Sequence, residues 1–322
     1  MPTGPRNDLT DVGGIAVGCA QDETARTGVT VVLPDEAAVC AADVRGGGPG
    51  TRETDALRLE GLVERADAIV LAGGSVYGLG AADAVTAALG ARARGFSLVD
   101  APGVPVSPIV PAAILYDLAN GGQKGWGEAP PYAALGRSAL GAARGAVPLG
   151  AAGAGFGATA GAGRGGQGSA SWTEAGTTLA ALAAVNSFGS VYAPGTDRFW
   201  AAPWEQGAEF GGRGAPNTAG VAGLPPDTKL AAGTNTTLAV VATDAALTKA
   251  QAQRLAVMAQ DGLARAIRPA HGPTDGDVVF VLSTGRGAPA SLLDLLRLGT
   301  TAGDVLARAV ARGVYAAEAA AP

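Results

Sequence analysis

The sequence predicts an α/β protein, in which helices pack on β-sheets, and two stretches of the chain support this fold class. Residues 68–72 (AIVLA) form a short apolar run typical of a buried strand, and it ends at Gly73-Gly74 before a helical pattern over residues 78–89. After residue 236, a strand, a helix and another strand follow one another with short connections. Apolar residues make up 48% of the 322 residues, which is enough for a sizeable core.

The other elements follow from β-branched runs and from apolar residues at helical spacing. A Pro- and Gly-rich stretch at residues 194–235 interrupts them, and we interpret it as a long exposed loop. We predict strands at residues 28–33, 178–185, 237–243 and 277–283, and helices at residues 247–267, 289–298 and 302–319.

Charge and composition exclude several classes of function. Charged residues are only 16% of the chain, the net charge is −5 and no basic run occurs, so we expect no nucleic-acid or membrane partner. The N-terminal residues lack the apolar core of a signal peptide, which predicts a cytoplasmic protein. Cys19 and Cys40 do not make a disulfide framework. With His271 as the only histidine, a His-rich metal site cannot form, and any Ser-His-Asp triad would have to use it.

The bond between Asn235 and Thr236 lies where the Pro- and Gly-rich loop meets a buried-looking strand. If that bond is cut, Thr236 becomes an N-terminus held rigidly at the start of the strand. Its free amine, with a pKa of roughly 8, can then act as base for its own hydroxyl, which is otherwise a weak nucleophile. The same hydroxyl could cut the chain by attacking the Asn235 carbonyl, in an N→O acyl shift that water completes. Alone, however, Asn-Thr-Thr is a very weak signal, and the start of an ordinary strand is the simpler interpretation, because threonine favours strands.

Two aspartates, Asp275 and Asp277, flank a glycine just before the strand run at 278–283. At one strand edge they could hold the Thr236 amine or orient its hydroxyl, and two close carboxylates raise one pKa. An Asp-Gly turn is the simpler interpretation of this segment by itself.

Two Gly-rich segments offer rival interpretations. Residues 73–78 (GGSVYG) miss the spacing of a G-x-S-x-G nucleophile elbow, so we interpret them as a strand-to-helix turn with Ser75 as N-cap, lining the pocket. Residues 153–158 (GAGFGA) fit the dinucleotide pattern G-x-G-x-x-A, with Glu174 near the place of a ribose-binding acid. Further glycines through residue 168 oppose the helix that this pattern requires, and we favour a Gly-rich loop that lines a cleft.

Motifs along nearly the whole chain resemble the P1-type self-processing peptidases, which include L-aminopeptidase/D-esterases, β-peptidyl aminopeptidases and nylon-oligomer hydrolases. The matching segments are LTDV at 9–12, TGVTV at 27–31, RETD at 52–55, LAGGSVYGL at 71–79, PIVPAAILYD at 108–117, GAGFGAT at 153–159, GGQGSAS at 165–171, VNSFG at 185–189, and residues 233–243.

The resemblance implies a four-layer αββα sandwich of the N-terminal-nucleophile type. It implies cleavage into segments 1–235 and 236–322 that together form one domain, with Thr236 as nucleophile. Asn186 matches an asparagine that stabilises the oxyanion. The aspartate pair matches the acids of the nylon-oligomer branch, where Tyr116 also matches a tyrosine near the nucleophile. A homo-oligomer of four or more subunits is implied, and no metal or organic cofactor.

One departure concerns charge. Relatives in that branch carry a lysine shortly after the Gly-Ala-Gly stretch, but here Arg164 stands in this region, and arginine cannot lose its proton to act as a base. We therefore expect Arg164, with Gly74 and Ser75, to bind substrate rather than to move protons.

The function favoured by these patterns is a self-processing amidase or aminopeptidase. It would act on small peptides or linear amides, 6-aminohexanoate (nylon) oligomers among them, through an acyl-Thr236 intermediate. The alternatives are a nucleotide-binding oxidoreductase built on residues 153–158 and a non-catalytic relative that binds small molecules.

Overall fold

A computed structural model describes residues 1–229 and 235–319, and these ranges hold thirteen strands and four α-helices. The strands are β1 (Ile15–Asp22), β2 (Thr27–Pro34), β3 (Ala38–Val44), β4 (Thr51–Arg52), β5 (Arg65–Ala66), β6 (Ile69–Ala72), β7 (Ala112–Ile114), β8 (Thr159–Ala160), β9 (Gly163–Arg164), β10 (Gly166–Glu174), β11 (Thr177–Asn186), β12 (Thr236–Thr243) and β13 (Val278–Ser283). The helices are α1 (Gly80–Gly90), α2 (Tyr132–Gly141), α3 (Lys249–Ala266) and α4 (Leu292–Ala319).

Two mixed sheets and two helix pairs form the layers. One sheet has the order β1-β2-β6-β7-β4, and the other has the order β10-β11-β12-β13-β3-β5. Along β12, Leu238 and Val240 face the first sheet, whereas Ala239 and Val241 face α3 and α4. Because successive strand residues point to opposite faces, each sheet buries both of its faces.

Three apolar cores result: one between α1, α2 and the first sheet, one between the sheets, and one between the second sheet and α3 and α4. The structure is therefore the expected four-layer αββα sandwich.

Helix α4 differs from the sequence prediction, because it is one helix of 28 residues where two were expected. Gly299 and Gly303 lie at the expected break, since glycine is a poor helix former. In the structure they let α3 approach closely: a Cβ on Gly262 would lie 2.4 Å from the backbone oxygen of Gly303, and one on Gly299 would lie 2.2 Å from Cε of Met258. Packing between the helices outweighs the local propensity.

The long loop predicted at residues 194–235 is only partly exposed. Phe199 and Phe210 are buried, their ring centroids lie 5.3 Å apart, and both belong to the core beneath α4. The exposed-loop interpretation is wrong around these two aromatic residues. The part of the prediction that covers residues 230–234 lies outside the described residues.

The Gly-rich segment that begins at Gly153 differs from the dinucleotide interpretation and, from Gly166 onward, from the loop interpretation as well. Residues Gly153–Gly155 form a single 3-10 turn, and the chain then forms the hairpin β8–β9 and the long strand β10. No α-helix follows the glycines before β10, so the segment lacks the strand-turn-helix unit that binds a dinucleotide.

Candidate active site

The ends of two neighbouring strands bring Thr236 and Asn186 together. Strand β11 ends at Asn186, β12 begins at Thr236, and the antiparallel register pairs these two residues directly. Both are buried, at 3% and 1% exposure. The apolar runs of β11 and β12 thus hold two polar residues at one edge of the second sheet.

The carbonyl oxygen of the peptide bond before Thr236 accepts two hydrogen bonds. The Gly276 N–H donates to the Asn235 carbonyl oxygen at 3.1 Å, and the Thr236 hydroxyl also donates to this oxygen. Asn235 forms a parallel bridge with Asp275, and its side chain is within 3.4 Å of Thr274 Oγ1. The carbonyl group and the hydroxyl of the predicted cleavage site are therefore in contact.

Gly276 has to be glycine because of this contact. A Cβ at this position would lie 2.6 Å from Thr236 Oγ1, which is closer than real Cβ atoms approach other atoms. The glycine between the two aspartates thus makes room for the hydroxyl group.

Asp277 anchors the start of β12. Its Oδ1 accepts from the Thr237 N–H at 2.7 Å, and its Oδ2 accepts from the His271 N–H at 3.0 Å and lies 2.9 Å from His271 Nδ1. Both oxygens of this buried carboxylate are occupied by the loop and the strand that it joins. The only histidine of the chain is thus bound to Asp277.

Asp275 is also buried, but its carboxylate accepts fewer hydrogen bonds than that of Asp277. Its Oδ2 accepts from the Gly272 N–H at 2.6 Å, whereas Oδ1 forms no hydrogen bond of normal length with the described residues. Burial and then the charge of Asp277 raise the pKa of Asp275 to about 6, although the N–H groups of Gly272 and Phe188 and the charge of His271 oppose the rise. A carboxyl group with such a pKa can exchange a proton near neutral pH.

Both ends of the Asn186 carboxamide form hydrogen bonds. Its Nδ2 donates to the Tyr116 carbonyl at 2.9 Å, and its Oδ1 accepts from the Thr159 N–H at 3.0 Å and from Lys229 Nζ at 3.1 Å. Lys229 Nζ also donates to the Asn186 backbone oxygen at 3.1 Å. Tyr116 thus reaches the site through its backbone.

Lys229 was not predicted from the sequence. Burial lowers its pKa to about 7, and the charge of Asp275 opposes this shift. A single lysine in a Pro- and Gly-rich segment belongs to no helical or strand pattern, so the sequence offers no signal except its place seven residues before Thr236.

A cavity of about 410 Å³ opens beside Asn186. Its wall consists of Tyr116, Asp117, Ala119, Asn120, Gly157, Thr159, Gly161, Ala162, Asn186 and residues 226–229. The cavity is therefore formed by the Gly-rich segment, the end of β11 and the chain that precedes the predicted cleavage site.

Comparison with known proteins gives the family. The sequence matches peptidase family S58 over residues 7–321. The chain belongs to this family.

Two relatives show what this S58 chain is similar to. An uncharacterized aminopeptidase of Mycobacterium bovis is 45% identical, over 97% of this chain and 94% of that one. A 6-aminohexanoate-oligomer endohydrolase of a Kocuria species is 31% identical, over 98% of this chain and 84% of that one. The S58 chain is therefore a hydrolase of the peptidase or amidase type.

Solved structures agree on the fold. A Burkholderia β-aminopeptidase has a TM-score of 0.72 at 24% identity, covering 97% of this S58 chain and 87% of that one. The L-aminopeptidase D-Ala-esterase/amidase of Ochrobactrum anthropi, described as a variant of the Ntn hydrolase fold, has a TM-score of 0.69 at 23% identity, covering 97% and 86%. This S58 chain thus has the fold of N-terminal-nucleophile hydrolases.

The three residues expected to bind substrate do not line this cavity. The Gly74 N–H donates at 2.7 Å to Asp117, which does line it. Ser75 is the first residue of a 3-10 helix, and Gly74 is its N-cap, so the prediction of Ser75 as N-cap is wrong. Arg164 is exposed on β9.

In the described part of this S58 chain, no helix is both long and apolar enough to cross a membrane.

Proposed function

We propose that this chain is a self-processing amide hydrolase that cuts the bond between Asn235 and Thr236 and then uses Thr236 on substrates. The observation that carries the proposal is the contact between the Thr236 hydroxyl and the Asn235 carbonyl, at the buried start of β12. A nucleophile must be held within reach of the carbonyl group that it attacks, and rigid placement lowers the entropic part of the barrier.

Self-cleavage begins when Thr236 Oγ attacks the Asn235 carbonyl carbon. The Gly276 N–H donates to this carbonyl oxygen already, so it stabilises the negative charge that develops there. The hydroxyl proton passes to the Thr236 nitrogen as the C–N bond breaks, which leaves an ester between residues 235 and 236. Water then hydrolyses the ester, giving the Asn235 carboxylate, the Thr236 hydroxyl and a free α-amine.

Turnover of substrate repeats this chemistry with the new amine as base. The α-amine takes the proton of the Thr236 hydroxyl, the oxygen attacks a substrate amide, and the leaving amine receives the proton. The Asn186 carboxamide stabilises the oxyanion, and Asp275 and Asp277 hold the new ammonium group or the substrate's own. Water activated by the α-amine hydrolyses the acyl-Thr236 ester.

The two segments, 1–235 and 236–322, stay together as one domain in this proposal. Strand β12 lies between β11 of the first segment and β13 of its own segment, so its ladder with β11 survives the cut. A homo-oligomer of four or more subunits and a location in the cytoplasm are also proposed, and sedimentation and cell fractionation test them.

The substrates proposed are small peptides and linear amides. The S58 family and the aminopeptidase name of the 45% identical relative support this class. The more specific substrate to test is a 6-aminohexanoate oligomer, which is the substrate named for the Kocuria relative.

Intact-mass spectrometry of the purified protein tests self-processing directly. We expect two chains of roughly 23 and 8 kDa, estimated from the segment lengths. Thr236→Ala should remain one chain of 31.3 kDa without amidase activity, because it lacks the attacking oxygen.

Two control variants make this test specific. Thr236→Ser keeps the hydroxyl and should still be cut. Thr237→Val changes the neighbouring threonine, which lies on the other face of β12, and this variant should also still be cut. An active wild-type protein that is a single chain would overturn the proposal, and so would an active Thr236→Ala variant.

A further inference from the structure

The positive charge beside Asn186 comes from the segment that precedes the predicted cleavage site. Lys229 Nζ lies 3.1 Å from both the backbone oxygen and the side-chain oxygen of Asn186. The other two lysines bind elsewhere: Lys124 donates to Asn120, and Lys249 donates to backbone oxygens near Gly61. Lys229 is thus the lysine placed to act on Asn186.

The segment that carries Lys229 is fixed by contacts of its own. The Lys229 N–H donates to the Phe188 carbonyl at 3.0 Å, and the Ala162 N–H donates to the Asp227 carbonyl at 3.1 Å. Thr228, between them, is buried. These contacts lie upstream of Asn235 and do not involve the bond that is cut, so they hold the segment in place after cleavage as well as before.

A carboxamide can face either way, because its oxygen and nitrogen have nearly the same shape. Around Asn186, Lys229 Nζ and the Thr159 N–H both donate, and they require the oxygen on their side. The reversed orientation would set the NH2 group against two donors and its oxygen against the Tyr116 carbonyl. The nitrogen therefore stays on the side of Tyr116.

We propose that Lys229 is a positioning residue for Asn186, which fixes the direction of the carboxamide during turnover. The proposal rests on the proposed function, in which the Asn186 amide stabilises the oxyanion. In this proposal the basic residue that serves the site is Lys229, which is held against the end of β11, rather than Arg164, which is exposed on β9.

The first experiment replaces Lys229 with methionine, which is similar in length but donates no hydrogen bond. We expect kcat to fall on the order of ten- to a hundred-fold, because misplaced catalytic groups cost rate, while KM changes less than about three-fold. Lys229→Gln keeps one donor and should recover part of kcat. Lys249→Met, which removes a lysine that also binds backbone oxygens, should leave kcat unchanged.

A double-mutant cycle tests whether Lys229 acts through Asn186. The rate of turnover of an amide substrate is measured for the matured wild type, Lys229→Met, Asn186→Ala and the double variant. We expect Lys229→Met to slow the wild type but to change the Asn186→Ala protein by less than about two-fold. Equal slowing in both backgrounds would overturn the proposal, and so would a wild-type rate for Lys229→Met.

A crystal structure of Lys229→Met supplies an independent test if Asn186→Ala does not mature. We expect the Asn186 carboxamide to be reversed or to adopt a second rotamer. An unchanged carboxamide that keeps its bonds to Thr159 and Tyr116 would contradict the positioning role. Activity in Thr236→Ala would instead defeat the proposed function, so the two failures remain distinct.

Discussion

The carboxylates of Glu209 and Asp275, both with little exposed surface, differ in the hydrogen bonds and charges that surround them. The Glu209 side chain is 8% exposed, and its oxygens accept from Arg308 Nε at 2.6 Å, Arg308 Nη2 at 2.9 Å and Asn7 Nδ2 at 2.6 Å. The Asp275 carboxylate faces another carboxylate, Asp277, and one of its oxygens makes no hydrogen bond with the described residues.

The pKa values move in opposite directions for this reason. Burial alone would raise the pKa of Glu209, but the hydrogen bonds and charge of Arg308, with Asn7 and Arg312, lower it overall. Burial and Asp277 raise the pKa of Asp275 to about 6. We therefore predict that the charge of Glu209 stabilises the fold, whereas the charge of Asp275 costs stability before cleavage.

The largest effect on stability is expected for Glu209→Gln. Arg308 is 0% exposed, so removing its partner leaves a buried charge without compensation. We expect a loss of about 3–5 kcal/mol at pH 7, measured by urea unfolding. Glu205→Gln, which removes a carboxylate that accepts from backbone N–H groups of Phe210 and Gly212, should cost only about 1 kcal/mol.

The stabilisation that Glu209 provides should depend on pH. A carboxyl whose folded pKa lies below its ordinary value of 4.5 adds stability above that value and loses it as the pH falls through the folded pKa. The difference in free energy of unfolding between the wild type and Glu209→Gln should therefore become smaller below about pH 4.5. A difference that stays constant in acid would show that the loss of stability comes from a change in packing rather than from the lost charge.

Asp275→Asn should have the opposite effect on stability and a clear effect on activity. Asparagine keeps an acceptor for the Gly272 N–H but carries no negative charge to hold an ammonium group, so we expect turnover to fall about a hundred-fold. In the uncleaved Thr236→Ala background, which has no new ammonium group, Asp275→Asn should raise stability at pH 8 by on the order of 1–2 kcal/mol, because no buried carboxylate has to be ionised.

This gain in stability should itself depend on pH. The folded pKa of Asp275, about 6, lies above its ordinary value of 3.8, so the uncleaved protein with Asp275 loses stability as the pH rises from about 4 through 6. The two proteins should melt alike near pH 4 and differ above pH 6. If Asp275→Asn lowers the melting temperature at pH 8, Asp275 is a structural residue like Glu209.

The sequence predicts that Thr236 and Asn186 adjoin buried apolar strands, and the structure has them at the start of β12 and the end of β11, whereas their catalytic roles stay predictions. It predicts β10 poorly, and the reason is packing. A Cβ on Gly168 would lie 1.9 Å from the Ala309 backbone oxygen of α4, so the glycine serves contact with a helix rather than a loop. Lys229 is missed because its role depends on a fold that brings a loop residue to the end of β11, and no local pattern encodes this.

The smallest effect is expected for Arg164→Met, which is the matched counterpart of Lys229→Met. Arg164 is exposed on the β8–β9 hairpin and is not part of the cavity wall in the described structure. Loss of an exposed side chain away from such a wall leaves stability within about 0.5 kcal/mol. Turnover should stay within about two-fold of the wild type, measured with the same amide substrates. A loss as large as that of Lys229→Met would show that the arginine reaches the bound substrate, and the site would then use two cations rather than one.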